Sequence, residues 1–197
     1  MTDRFGRRSA AVVLGAVIGS IGAAAPALAH AGHSEGNAWS GVLHPFGGLD
    51  HVLAMVAVGV LASVLARSVA VVGTFLASMM LGGLLGLAGL TFGIGEMAIA
   101  VSVAALGCAL VAGRATDPRL AVALVAVAGL AHGHAHGAEA PAASKPIFYV
   151  VGFLAATLVL HLGGWALGTV LVRRAGARAT VGALVAGAGL GLVAGVI

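Results

Sequence analysis

The sequence predicts an all-α fold: an integral membrane helical bundle of six transmembrane helices behind a cleaved signal peptide. Three observations predict it. The 197-residue chain is 60% hydrophobic and only 8% charged, against about 25% charged residues in soluble domains. Its apolar residues fall into runs at 43–65, 69–90, 95–111, 120–136, 147–172 and 180–197, each near the roughly 17–25 residues that cross a bilayer as a helix. It also carries 32 glycines and 5% aromatics, and small residues let membrane helices approach closely.

Ahead of these runs, Arg4, Arg7 and Arg8 form a positive n-region. A short apolar stretch follows at 10–21, and Ala27-Leu28-Ala29 makes an A-x-A cleavage pattern. Residues 1–29 therefore read as a secretory signal peptide, with an uncleaved first helix as the other reading. The flanks of Arg7-Arg8 fit a twin-arginine signal poorly. Residues 30–42 become a short external segment holding His30 and His33, and residues 43–197 a six-helix transmembrane domain.

The arginines give the topology. The first, third and fifth connections hold Arg67, then Arg114 and Arg119, then Arg173, Arg174 and Arg178; the second and fourth hold only Lys145. The positive-inside bias makes the odd connections cytoplasmic and the mature N-terminus external, in a multi-pass protein of a bacterial inner (cytoplasmic) membrane. The high pI reflects these few arginines with little acid to balance them, and no basic patch with interleaved aromatics suggests nucleic acid.

Each segment then carries its own mark. In the first, Pro45 suits an opening helical turn. His44 and His51, seven residues apart, share a face if the helix is continuous, but Gly47-Gly48 can equally break it. The second holds Gly82, Gly86 and Gly89, read as a packing seam. The third starts at Glu96, which either joins a polar site or favours the helix dipole. It contains Cys108, the chain's single cysteine, expected to be a small buried core residue. In the fourth, His132 and His136 are four apart and Glu139 follows three later, so all three can converge on one face while His134 points away. A His-rich loop beyond the helix is the competing reading. The fifth has His161 near mid-membrane, either a ligand or a core imidazole bonded to a carbonyl. The sixth has Gly187, Gly191 and Gly195 as a second seam.

Ionisable groups at bilayer depth cost roughly 2.5–3.5 kcal/mol each on insertion scales, so a chain that keeps this many is expected to use them. Imidazole with carboxylate suits a borderline divalent transition metal. Asp50 beside His51 can bind such an ion directly or orient the imidazole, whereas Met55 reads as packing. On the predicted topology His44, Asp50, His51, Glu96, His132, His136 and Glu139 fall in the outer half, with His161 alone deeper. His30 and His33 are a candidate external metal-capture pair or a plain tail. The pattern reads as a funnel from the external face inward.

The stretch His44-Pro45-Phe46-Gly47-Gly48-Leu49-Asp50-His51-Val52-Leu53-Ala54-Met55 resembles the HPxxGxDHxLAM signature of the HupE/UreJ family. His132-Gly133-His134-Ala135-His136-Gly137-Ala138-Glu139 resembles its HGxAHGxE block. Glu96–Ser102 is similar to its acidic start of helix 3, and Leu160-His161-Leu162-Gly163 to its LHxxG element. The resemblance implies a permease for Ni²⁺ or Co²⁺ that serves hydrogenase or urease maturation proteins. It implies metal-handling roles for His44, Asp50, His51, His132, His136 and Glu139, and next for Glu96 and His161. The ion is cargo and no prosthetic group is expected. Membrane lipid is the surrounding medium, and a homo-oligomer is left open. Two rivals are an intramembrane hydrolase holding Zn²⁺ and an accessory subunit that binds metal without translocating it. No P-loop motif is present, so ATP is not expected to drive transport through this chain directly.

Overall fold

Long apolar runs in a chain with no competing strand signal form helices, because a helix satisfies all its backbone polar groups within the segment. The computed structural model describes residues 38–90, 95–138, 146–171 and 174–196. Its helices are α1 (Ala38–Leu43), α2 (Leu49–Val64), α3 (Ser68–Leu87), α4 (Gly95–Ala112), α5 (Pro118–Ala138), α6 (Pro146–Leu171) and α7 (Ala175–Val193). Single 3₁₀ turns follow α1 at His44–Phe46 and α4 at Gly113–Ala115. No strand occurs among the described residues. Among the described residues, five helices are long and apolar enough to cross a membrane, and a sixth crossing results if Ala38–Phe46 and Leu49–Val64 are counted together. The signal peptide, its cleavage site, His30, His33 and Glu139 lie outside the described residues.

The first apolar segment is not one helix. It breaks at Gly47 and Gly48, and its two halves meet at 84°. Gly48 is extended, with φ −120° and ψ 130°, and starts α2 without a side-chain cap. The seven-residue spacing of His44 and His51 therefore does not put them on one helical face. The last helix begins at Ala175, five residues before the apolar run at 180, because Arg178 lies within its first turns. The Arg178 guanidinium donates to the Val111 carbonyl at 3.3 Å, a favourable place for a cation at the C-terminal end of α4.

Helices pair through glycine. α3 packs chiefly on α5, α4 on α7, and α6 on both α1 and α2. A Cβ at Gly82 or Gly86 would strike the α5 backbone at Leu130 or His134, and one at Gly133 or Gly137 would strike α3 at Met79 or Gly83. Gly107 and Gly182 do the same for α4 and α7, Gly59 and Gly164 for α2 and α6, and Gly41 and Gly152 for α1 and α6. Two expected seams change. Gly89 takes φ +77° at the end of α3 and meets nothing, so it turns the chain. On α7 the seam uses Gly182 and Gly189, whereas Gly187 and Gly195 face open space. Cys108 is exposed on α4, not buried: a cysteine within an apolar run is as compatible with the lipid face as with the core. Met55 is fully buried, with Phe75, Leu61, Leu106 and Leu110.

The alternating helix directions bring the starts of α2 and α6 and the end of α5 to one end of the bundle. Arg67, Arg114, Arg119, Arg174 and Arg178 lie at the other.

Candidate metal-handling site

Four imidazoles meet at the arginine-free end. His44, on the 3₁₀ turn, has its Nε2 2.9 Å from His136 Nδ1, and their ring centroids are 4.7 Å apart. The His51 ring lies 4.4 Å from His136, 5.2 Å from His132 and 6.5 Å from His44. The break at Gly47–Gly48 thus brings His44 and His51 to the same two α5 imidazoles from separate helical pieces. α5 stays helical through Ala138, so His132 and His136 share the inward face. His134 is carried to another face and hydrogen-bonds the Leu90 carbonyl at the end of α3.

Hydrogen bonds fix the tautomers. His51 Nδ1 donates to Asp50 Oδ1 at 2.7 Å, and His132 Nδ1 donates to the Ala128 carbonyl at 2.8 Å. A ring that donates from Nδ1 leaves Nε2 as a bare lone pair while neutral, the form that binds metals. The Nε2 atoms of His51, His132 and His136 are buried and have no hydrogen-bond partner. A buried polar nitrogen without a partner is costly, so these atoms fit the chemistry of an ion donor set. Among the described residues no three His, Cys, Asp or Glu side chains already form a finished metal-binding group; the imidazoles pack edge to face or tilted.

Asp50 acts on His51 from the first turn of α2, where a carboxylate also suits the helix dipole. Room for this pair depends on Gly48, since a Cβ there would meet Asp50 Oδ1 and, at 2.7 Å, His51 Nδ1. Glu96 lies in the first turn of α4 and is exposed, and no hydrogen bond joins it to the imidazoles. His161 is fully buried on α6, deeper in the bundle.

Sequence reasoning missed the aromatic wall. Tyr149 and Phe153 of α6 are buried, with ring centroids 5.7 and 6.0 Å from His44. Phe153 also lies 4.4 Å from His136. Phe75 of α3 sits 5.9 Å from His132. The available signal was the four-residue spacing of Tyr149, Phe153, Thr157 and His161, which aligns them along α6.

Known proteins resemble the chain along most of its length. Residues 16–192 match the model of the HupE / UreJ protein family. The chain is 45% identical over 181 residues to Protein HupE of Rhizobium leguminosarum bv. viciae, covering 87% of this chain and 93% of that protein. No solved structure matches. Matched along most of its length, with both histidine blocks in place, the chain belongs to the HupE/UreJ family.

Proposed function

We propose that the protein takes up a divalent transition-metal ion, Ni²⁺ or else Co²⁺, across the bacterial inner membrane and so supplies hydrogenase or urease maturation. The supporting observation is the set of buried, unpartnered Nε2 atoms on His51, His132 and His136, two of them held as bare lone pairs by hydrogen bonds on the opposite ring nitrogen. Family membership makes the chain a permease or accessory protein, not an enzyme, which sets the hydrolase reading aside.

In this reading the ion enters from outside, where positive-inside orientation puts the arginine-free end. His44 and His136 receive it at the break. His51, oriented by Asp50, and His132 draw it inward, and His161 lies next on the route. His30, His33, Glu96 and Glu139 complete the outer set, as capture pair and carboxylates. Imidazole donors with few carboxylates bind tightly enough to strip water and weakly enough to release, as conduction demands. The membrane potential favours cation entry. The test is radioactive nickel uptake into proteoliposomes. Wild type is expected to accumulate nickel and His51→Ala and His136→Ala to fall to the level of empty vesicles; equal accumulation by all three overturns the reading.

A further inference from the structure

Below the outer cluster, α6 carries Thr157 and His161 one turn apart, both with no exposed surface. His161 Nδ1 donates to the Thr157 carbonyl at 2.7 Å. The ring therefore folds back along the turn that begins at Thr157, the direction helical side chains take. Its Nε2 is a bare lone pair, buried and without a partner. Thr157 Oγ1 is likewise buried and unpartnered.

A free hydroxyl that is also buried stands out among the described residues. Hydroxyls within helices ordinarily return to a carbonyl one turn earlier. Ser78, Ser102, Thr169 and Thr180 all do so here. Thr157 alone among these is fully buried with its hydroxyl unused. Phe75, also fully buried, places its ring 4.9 Å from His161 and 5.9 Å from His132, so one aromatic borders both the outer imidazoles and this pair. Gly59 lets α2 approach the α6 backbone at His161, which holds the pair in place.

We propose that Thr157 Oγ1 and His161 Nε2 form a second, deeper station for a divalent transition-metal ion, with Phe75 bordering both it and the outer cluster. His161 Nε2 ligates the ion and Thr157 Oγ1 hydrogen-bonds one of the waters it retains. The station rests on the reading of the outer cluster as the ion's entry, and it gives the route the second weak site that conduction requires.

Thr157→Val tests it, because the change nearly preserves volume and removes only the hydroxyl. If Thr157 is merely structural, deleting an unpaired buried hydroxyl leaves thermal stability equal or higher and uptake unchanged. The station predicts stability retained, nickel uptake into proteoliposomes reduced at least about tenfold, and recovery in Thr157→Ser. Uptake by Thr157→Val at the wild-type rate overturns it. Nickel titration of the detergent-solubilised protein is independent of transport: wild type shows a weaker second binding step that Thr157→Val and His161→Gln lack. Superimposable titration curves overturn the station whether or not the protein transports. A wild type that accumulates no nickel yet shows this second step overturns the permease reading alone.

Discussion

The α3–α5 pair and the α4–α7 pair are built by the same device, yet only the first carries imidazoles. In both, glycines on facing helices let backbone touch backbone. On α5 the seam residues Gly133 and Gly137 directly follow His132 and His136 in sequence, so the packing that seats the helix also sets the depth and rotation of two imidazoles. On α7 the corresponding helix has no ionisable residue beyond Arg178 near its start. The difference teaches that glycine packing is scaffold in both pairs, and that what distinguishes them is which side chains the scaffold carries inward.

Four experiments press on that contrast. The largest effect belongs to the imidazoles: His132→Ala is expected to abolish nickel uptake by the fraction of protein that remains folded, and to lower thermal stability as well, since it empties a fully buried site. Next, Gly133→Ala and Gly107→Ala each force a Cβ into opposing backbone and are expected to destabilise by about 1–3 kcal/mol. Normalised to folded protein, only Gly133→Ala should also lower nickel affinity; an equal loss in both would erase the distinction between the pairs. Gly48→Ala crowds the Asp50–His51 pair and is expected to weaken nickel binding about tenfold, the scale of an orienting partner, with little change in melting temperature. The smallest effect is Gly187→Ala on α7. Its Cβ meets nothing, so uptake should be unchanged and stability equal or up to about 1 kcal/mol higher from helix propensity.

Acidification sharpens the same contrast. Protons compete with metal for imidazole lone pairs, so nickel uptake measured across external pH is expected to fall as pH falls. Thermal stability of the α4–α7 pair, which has no histidine, should not follow it.

Much of this was legible in the sequence because apolar length and within-helix spacing are local properties. The spans at α3, α4, α5 and α6 fell close to the apolar runs. His132 and His136 could be assigned to one face, and His134 to another, from spacing alone. What was not legible depends on which face meets which helix. Cys108 sits in a run whose residues are apolar all round, so nothing local distinguishes lipid from core. Gly187 and Gly189 are two residues apart and chemically identical, yet only Gly189 meets a neighbour. The double glycine at 47–48 was compatible with either a continuous or a broken helix, and the contact between His44 and His136 across 92 residues has no local signal. Thr157 carried none either, because a threonine in an apolar helix is ordinary until its hydroxyl is found without a carbonyl.

The break at Gly47–Gly48 also decides how the first apolar segment reaches the length of a crossing. α2 has 16 residues, about 24 Å at 1.5 Å per residue, short of a hydrocarbon core about 30 Å thick. Its sharply turned partner α1 lies against α6 through Gly41 and Gly152 and exposes Trp39 and Leu43, with Phe46 exposed on the 3₁₀ turn that follows. Irregular backbone survives at such depth only beside protein or water. The segment thus reaches the length of a crossing only when α1, its turn and α2 are counted together, and the imidazoles of His44 and His51 sit on either side of the bend that joins them.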